Sequence, residues 1–176
     1  MKINVKTGDE LNRLLDNLQQ EIVYANIYYR LYWDLNDALR SHPEEFAQSN
    51  TFWVLTFDAL QDAWLIRLCR VFDTQCNNNL NLVNLLETIK ENLHFFNEQN
   101  FRERLKDNAF VNSLAECDRV PDQAQLDKDI EFAKADPLVE KLRIWRNNIV
   151  AHKGSKFVLG KAPQLSEDPL ECIPLL

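Results

Sequence analysis

The stretch DPLVEKLRIWRNNIVAHKG, residues 136–154, combines the clearest helix signals in this chain with its densest group of reactive side chains. Asp136 is a favoured N-cap residue, and Pro137 suits the first helical position because a proline there loses no hydrogen bond. Gly154 can adopt the left-handed conformation that ends many helices. The sequence therefore predicts one helix with a defined start and end. Its apolar residues form one stripe, at spacings of four, three and four: Leu138, Leu142, Trp145 and Ile149.

Polar side chains border this predicted stripe on both sides. At about 100° per residue, Arg146 and His152 fall on opposite borders, about 120° apart and roughly 9 Å apart along a regular helix. Asn148 lies four residues before His152, on the same side of the helix. We interpret this arrangement as a site on a packed face.

Positive charge is concentrated in the same region. Residues 141–161 include six basic side chains and no acidic one, although the whole chain has a formal net charge of −7. A local basic patch on an acidic protein favours an anionic ligand at that patch, because a protein that coats a duplex is normally basic more widely. The alternative is a solvated helix end whose cations complement the helix dipole. The six residues are Lys141, Arg143, Arg146, Lys153, Lys156 and Lys161.

The composition favours an all-α protein of one domain. Only three of the 176 residues are glycine, and apolar residues recur at helical spacings through most of the chain. We expect an antiparallel helical bundle over residues 1–154, with two long helices and three to four shorter ones. Residues 155–176 contain three prolines and no sustained periodicity, so we expect a C-terminal tail with little regular structure.

Neither a membrane segment nor a metal site is expected. No apolar run approaches the ~20 residues that span a bilayer, and the first residues lack the apolar segment of a signal peptide, so we expect a cytoplasmic protein. The four cysteines have no metal-binding spacing, and neither His42 nor His94 has a second histidine or a cysteine three or four residues away. We therefore expect no metal and no cofactor.

The two long helices are predicted in the first half of the chain. Thr7 and Glu10 form a capping-box pattern, and the first helix should end near Arg40 because His42 precedes a proline. Ser41 is the candidate cap of the next start. The first helix has one apolar series: Leu11, Leu15, Leu18, Ile22, Ala25, Tyr29 and Tyr32. The second has two: Trp53, Phe57, Leu60, Trp64, Leu68 and Val71, and Phe52, Leu55, Ala59, Ala63 and Ile66. A helix that is apolar on two sides is usually covered on both, so we expect it at the centre of the bundle.

Shorter helices should follow a polar connection at residues 73–79. One is expected to start after Asn81. Another, with Asn100 and Glu103 as its capping pair, is expected between residues 97 and 122. A further short helix contains Leu126, Ile130 and Ala133, and Asp136 and Pro137 should end it.

The segment R-N-N-I-V-A-H, residues 146–152, resembles the R-x(4–6)-H signature of the HEPN superfamily, whose small helical bundles include many ribonuclease toxins and phage-defence proteins. Asn147 supplies the polar residue that directly follows the arginine in that pattern. The longer segment LRIWRNNIVAHK, residues 142–153, is similar to the branch found among abortive-infection proteins, and so is R-V-F-D at residues 70–73. The resemblance covers roughly residues 7–154.

This resemblance implies metal-independent RNA cleavage by a toxin or defence protein. His152 would act as the acid or base, because a histidine titrates near neutral pH, and Arg146 would bind the phosphate with two hydrogen bonds. Asn147 and Asn148 would position these groups. Further candidates for substrate binding are Lys153, Lys156 and Arg143.

Two residues at the end of the second long helix are accessory candidates. Asp73 could add a carboxylate to the site, with Arg70 beside it. The alternative is that Asp73 is a helix-end or loop residue paired with Arg70.

One chain is expected to hold only part of the site, since Arg146 and His152 are too far apart on a regular helix to bind one phosphate together. Two copies meeting across the apolar stripe would bring two arginines and two histidines together, as the resemblance implies, so we expect a homodimer. The alternative is that the stripe faces the second long helix within one chain. A toxin would also have an antitoxin protein as partner. Gly154 stands where nucleotidylation-regulated HEPN toxins have a tyrosine, which disfavours that regulation here.

Two other interpretations remain open. The chain could be a non-catalytic helical module that binds a nucleotide or a protein through the basic patch, and the net charge of −7 disfavours indiscriminate RNA binding. Alternatively, the patch is inert and only the dimer matters.

Overall fold

The computed structural model describes residues 2–73, 79–115, 120–145, 147, 158 and 159. Within these residues the chain forms helices and no β-strand, which confirms the all-α prediction and the two long helices. Six shorter helices accompany them in the described part of the chain, where three to four were expected. The bounds are α1 Gly8–Ser41, α2 Pro43–Ala47, α3 Asn50–Phe72, α4 Leu82–Glu91, α5 Glu98–Arg104, α6 Val111–Ala115, α7 Gln123–Ala135 and α8 Pro137–Trp145. None of these described helices is both long and apolar enough to cross a membrane.

The chain divides into two compact units. The first comprises residues 1–18 and 74–135, and its α4 packs against α7. The core of this contact consists of Val83, Ile130 and Ala133, with Leu82 and Leu86 packed against it.

The second unit comprises residues 19–73 and 136–176, and its α3 packs against α8. Its buried core consists of Ala25, Trp64, Leu65, Leu68, Cys69 and Leu142. Four of these six residues, Trp64, Leu65, Leu68 and Cys69, lie on α3, so one face of that helix supplies most of this core.

The start of α1 follows the predicted capping pattern. The Glu10 backbone N–H donates to Thr7 Oγ1 at 3.2 Å, and the Glu10 carboxylate in turn accepts from the Lys6 backbone N–H at 2.7 Å. These bonds satisfy donors that a helix start leaves without partners. The predicted seam of α1 is largely confirmed, since Leu11, Leu18 and Ala25 are buried. Ile22, in the same series, is 38% exposed.

The predicted cap at Ser41 is wrong. Ser41 is the last residue of α1, and its hydroxyl donates to the Asp37 carbonyl at 2.9 Å. The turn at His42 and Pro43 instead starts the short α2, and α3 begins only at Asn50.

The two apolar series of α3 have different surroundings. Leu60, Trp64, Leu68 and Val71 of the first series are buried. The second series is exposed at Phe52, Leu55 and Ile66, so the expectation that α3 is covered on both sides is wrong. The periodicity identified an apolar stripe correctly, but the chain provides no element to cover it within the described residues.

Asparagine side chains cap two of the shorter helices, α4 and α5. Asn81 is the N-cap of α4, as predicted, and accepts from the Asn84 N–H at 2.8 Å. The cap of α5 is Asn97, which accepts from the Asn100 N–H, rather than Asn100 itself. A 3-10 turn, Leu93–Phe96, follows α4. The helix α7 contains the three predicted apolar residues, all buried, and ends at Ala135 as expected.

Candidate functional site

The helix α8 leads into the predicted site and is fixed at its start. The Asp136 carboxylate accepts from the Leu138 N–H at 2.8 Å, which confirms the predicted cap, and Pro137 is the first helical residue. Leu142 is 5% exposed and lies in the core with residues of α3, and Leu138 packs against the same core. The Cys69 thiol of α3 also donates to the Leu142 carbonyl, with Sγ and O 3.5 Å apart. The segment directly before the motif is therefore held against α3.

Of the four predicted catalytic residues, Asn147 is the one that the structure describes. Asn147 is exposed and has a π-helical backbone conformation. A π-helical turn is wider than an α-helical one and is frequent at functional sites. The spacing argument for Arg146 and His152 assumed a regular helix, and that assumption does not hold at Asn147. Arg146, Asn148, His152, Lys153 and Lys156 lie outside the described residues.

Arg143, a predicted substrate-binding residue, forms an ion pair on its own helix. Its guanidinium donates to both carboxylate oxygens of Glu140, with Nε and Oε2 2.7 Å apart. The hydrogen bond from Arg143 lowers the pKa of the Glu140 carboxyl, and the same bond raises the pKa of Arg143. Both side chains are about half exposed. The positive charge of Arg143 is thus balanced in place by Glu140.

The accessory candidates lie at the end of α3. Asp73 follows the last residue of the helix as its C-cap, which is the helix-end position of the alternative interpretation; its pairing with Arg70 stays a prediction. The ion pair of Arg70 runs to Glu21 of α1, with Nη1 and Oε1 3.5 Å apart. Because Arg70 directly follows Cys69, which contacts Leu142, this end of α3 and α8 lie close together.

A cluster that the sequence analysis missed surrounds Glu21. Arg67 donates to Glu21 Oε2 at 3.1 Å, and its guanidinium lies 4.9 Å from the Tyr24 ring centroid and 5.6 Å from that of Tyr28. The one signal in the sequence was the spacing of Arg67 and Arg70, which places two guanidinium groups on one face of α3. Their carboxylate partner is 46 and 49 residues away, so spacing could not identify it.

The described part of the apolar stripe on α8 faces α3 within the chain. Leu142 and Leu138 both contribute to the core of the second unit. This is the arrangement that the sequence analysis kept as the alternative to a dimer contact. The predicted use of these two leucines as a seam between copies is therefore wrong, whereas Trp145 and Ile149, the other two residues of the stripe, have no described side chains, and the homodimer stays a prediction.

A helical fold whose last described helix leads into R-N-N-I-V-A-H is typical of HEPN proteins. The chain matches the HEPN family model described as AbiU2 over residues 8–170, and it therefore belongs to the AbiU2 family of HEPN-type abortive-infection proteins. Membership of this family indicates a role in phage defence. Comparison with curated proteins and with solved structures finds no match.

Proposed function

We propose that this chain is a metal-independent RNA endonuclease of the toxin or phage-defence type, active in the cytoplasm. The observation that carries the proposal is the intact R-N-N-I-V-A-H segment directly after α8 in a chain of a HEPN-type abortive-infection family. Arg146 would bind the scissile phosphate, and His152 would transfer the proton. Asn147 and Asn148 would orient these groups, and Lys153 and Lys156 would bind flanking phosphates.

The reaction needs only proton transfer and charge stabilisation. A base takes the proton of the ribose 2′-OH, and the 2′-oxygen forms a bond to the adjacent phosphorus. The bond from phosphorus to the 5′-oxygen breaks, and an acid protonates that oxygen. The products are a 2′,3′-cyclic phosphate and a 5′-hydroxyl. A histidine suits both proton transfers, and an arginine stabilises the charge that develops on the phosphoryl oxygens.

A homodimer belongs to this proposal. One histidine cannot act as base and acid in the same step, whereas two copies related by a two-fold axis supply two histidines and two arginines. We also propose an antitoxin protein as the natural partner, because an endonuclease that cuts the RNA of its own cell has to be neutralised until it is needed.

The test is cleavage of single-stranded RNA in the presence of EDTA by the purified chain and by His152→Ala and Arg146→Ala. The matched control is His94→Ala, because His94 lies in the 3-10 turn of the first unit. We expect 2′,3′-cyclic phosphate ends from the wild type and from the control. His152→Ala should lose at least 100-fold in rate, since general acid–base catalysis contributes about 10²–10⁴. Arg146→Ala should lose about 10²–10³, since it removes a group that stabilises the charge developing on the phosphate. Cleavage that survives in His152→Ala, or that requires a divalent metal, would contradict the proposal.

The second candidate is a binding module without catalysis, and the ion pair of Arg143 with Glu140 favours it. That pair removes one free cation from the basic patch of a chain with a net charge of −7. A module of this kind would bind RNA or a nucleotide in filter-binding assays but would release no product. Arg146→Ala would then weaken binding, and His152→Ala would change it little.

A further inference from the structure

A cluster of two arginines, two tyrosines and one glutamate joins α1 and α3. We call it the Glu21 cluster; its residues are Glu21, Tyr24, Tyr28, Arg67 and Arg70. The glutamate and the two tyrosines lie three and four positions apart on one face of α1, and the two arginines lie three positions apart on one face of α3. All five residues belong to the second unit, which also contains α8. The cluster and the helix that leads into the motif are thus parts of one compact unit.

One face of the Tyr24 ring is open to solvent. The Arg67 guanidinium lies 4.9 Å from the Tyr24 ring centroid and 5.6 Å from that of Tyr28, and the two ring centroids are 6.5 Å apart. These three distances form a triangle with an acute angle at Tyr24, so Arg67 and Tyr28 lie on the same side of that ring. No other aromatic ring or guanidinium of the described residues contacts Tyr24, which is 46% exposed. The second face of the ring can therefore stack with a planar group.

The cluster has one more positive charge than negative charge, and this excess is most accessible at Arg70. Glu21 accepts from both arginines, but Nη1 of Arg67 lies 3.1 Å from Oε2 and Nη1 of Arg70 lies 3.5 Å from Oε1. The Arg67 side chain is 24% exposed, whereas that of Arg70 is 59% exposed. A guanidinium has five N–H donors, so one long hydrogen bond leaves most of those of Arg70 available to an anion.

The position of Arg70 connects the cluster with the motif. Arg70 directly follows Cys69, whose thiol donates to the Leu142 carbonyl of α8, so its side chain projects about 100° around α3 from the contact with α8. The helix α8 ends at Trp145, about 4.5 Å beyond Leu142 along its axis, and the motif follows directly in the sequence. A nucleic acid strand that leaves the motif towards this side of α3 reaches the Glu21 cluster next.

We propose that the Glu21 cluster is a subsite for one nucleotide of single-stranded RNA beside the motif, an inference that rests on the endonuclease proposed above. The base stacks on the open face of Tyr24, and Arg70 binds the phosphate of the same nucleotide. Proteins that bind single strands combine aromatic platforms with cations in this way. Because a base has to leave the stack of a duplex to make this contact, the subsite selects single-stranded over double-stranded RNA.

The experiment measures the binding of a fluorescein-labelled strand with 2′-O-methyl riboses, which lacks the attacking hydroxyl and cannot be cleaved. Fluorescence anisotropy over a salt series gives the affinity and the salt slope for the full chain and for Tyr24→Leu, Tyr24→Phe and Arg70→Gln. The matched control is Arg102→Gln, because Arg102 is also a partly exposed arginine in an ion pair and lies in the first unit. Far-UV circular dichroism checks that every variant is folded.

The variants have different expected results. Tyr24→Leu should weaken binding by about 5-fold or more at an unchanged salt slope, since the base loses its stacking partner. Tyr24→Phe retains the ring and should bind within about 2-fold of the wild type. Arg70→Gln should weaken binding and lower the salt slope by about 0.7, since one phosphate contact is lost. Arg102→Gln should change neither quantity, and a duplex of the same sequence should bind the wild type more weakly than the single strand.

A photochemical cross-link locates the contact. A strand that contains 5-bromouridine should couple to Tyr24 on irradiation, and mass spectrometry of the peptides identifies the adduct. Tyr24→Leu with wild-type affinity, equal salt slopes for Arg70→Gln and Arg102→Gln, or an adduct confined to other residues would each overturn the inference. Binding of the mononucleotide AMP as tight as that of the strand would assign the cluster to a free nucleotide and would overturn it as well.

The binding assay involves no cleavage, so the two proposals fail in different ways. A chain that binds the strand through the Glu21 cluster but cleaves no RNA contradicts the endonuclease and leaves the subsite standing. If Tyr24→Leu and Arg70→Gln cleave RNA as fast as the wild type at low RNA concentration, the subsite is contradicted and the endonuclease stands. A wild type that does not bind the strand also contradicts the subsite.

Discussion

Arg67 of α3 and Glu21 of α1 form an ion pair whose two side chains are only 24% and 21% exposed. The Arg67 guanidinium also lies over the rings of Tyr24 and Tyr28, so both its edge and its face have partners. Cation–π contacts gain strength when the cation is partly desolvated. This cluster therefore links the two long helices by more than apolar packing.

Glu21→Gln should destabilise the chain by about 1 kcal/mol, because it leaves a partly buried guanidinium without its counter-charge. Thermal or urea unfolding measures the change. The control is Glu98→Gln, whose partner Arg102 lies one turn along the same short helix, with both side chains well exposed. A solvated pair of this kind contributes little. Equal losses in the two variants would show that the Glu21 pair is no stronger than a surface pair.

Glu140→Gln should strengthen the binding of RNA. The substitution releases Arg143 from its ion pair and adds one unit of positive charge to the basic patch. We expect an affinity gain of about 2-fold to 5-fold at low salt and a steeper salt dependence, since each added phosphate contact releases a counterion. Fluorescence anisotropy with a labelled single strand measures both. Glu131→Gln, an exposed glutamate on α7, changes the net charge equally and serves as the control. The same gain in both variants would attribute the effect to net charge alone.

Leu142→Ala should cost about 2–4 kcal/mol in the free energy of unfolding, because it opens a cavity where α8 contacts α3. Urea denaturation measures the loss. Leu159→Ala removes the same atoms at a position that is 63% exposed and should change stability little. If the motif depends on the position of α8, cleavage by Leu142→Ala should also fall at temperatures where the variant is still folded. A variant with normal stability would show that the contact of α8 with α3 is dispensable.

The ion pair of Glu87 with Lys134 should make the first unit sensitive to acid. A hydrogen bond of 2.7 Å from Lys134 Nζ lowers the pKa of the Glu87 carboxyl below its ordinary value of 4.5. The pair therefore stabilises the fold fully above pH 4.5, and its contribution is lost as the pH falls through the lower pKa of the folded chain. Because Lys134 is half exposed, the contribution should be no more than about 1 kcal/mol.

Urea unfolding of the wild type and of Glu87→Gln, at neutral pH and in acid, tests this effect. The wild type should be the more stable at neutral pH, and the difference should shrink towards acid. Lys134→Met should remove the same pH-dependent increment. A constant difference at all pH values would assign the effect to packing rather than to charge.

The sequence predicted the helices that local signals define. Asn81, Asp136 and the Thr7 pattern start helices where expected, because a capping side chain acts on backbone groups two or three residues away. The predicted cap at Ser41 was wrong because the preceding helix extends to that residue. Its hydroxyl donates to the Asp37 carbonyl of the same helix instead of capping a new one. The prediction that α3 is covered on both sides was wrong for a different reason. A periodic pattern shows which side chains share a face, but the element that covers this face depends on the whole fold.

The candidate site was predictable as a motif and less so as a geometry. The ion pair of Arg143 was readable from the spacing of three residues to Glu140. The pairing of Arg67 and Arg70 with Glu21 was not, because it joins positions far apart in the chain. The π-helical conformation at Asn147 was also not predictable from the sequence, since no residue type in R-N-N-I-V-A-H specifies it.

The bond from Cys69 to the Leu142 carbonyl gives the chain a built-in chemical reporter. The thiol is 5% exposed and lies under α8, so an alkylating reagent can reach it only when that helix lifts away from α3. The rate at which the reagent labels Cys69 therefore measures how often α8 opens. The frequency with which the segment carrying the motif comes loose can thus be read from one sulfur atom, without any substrate.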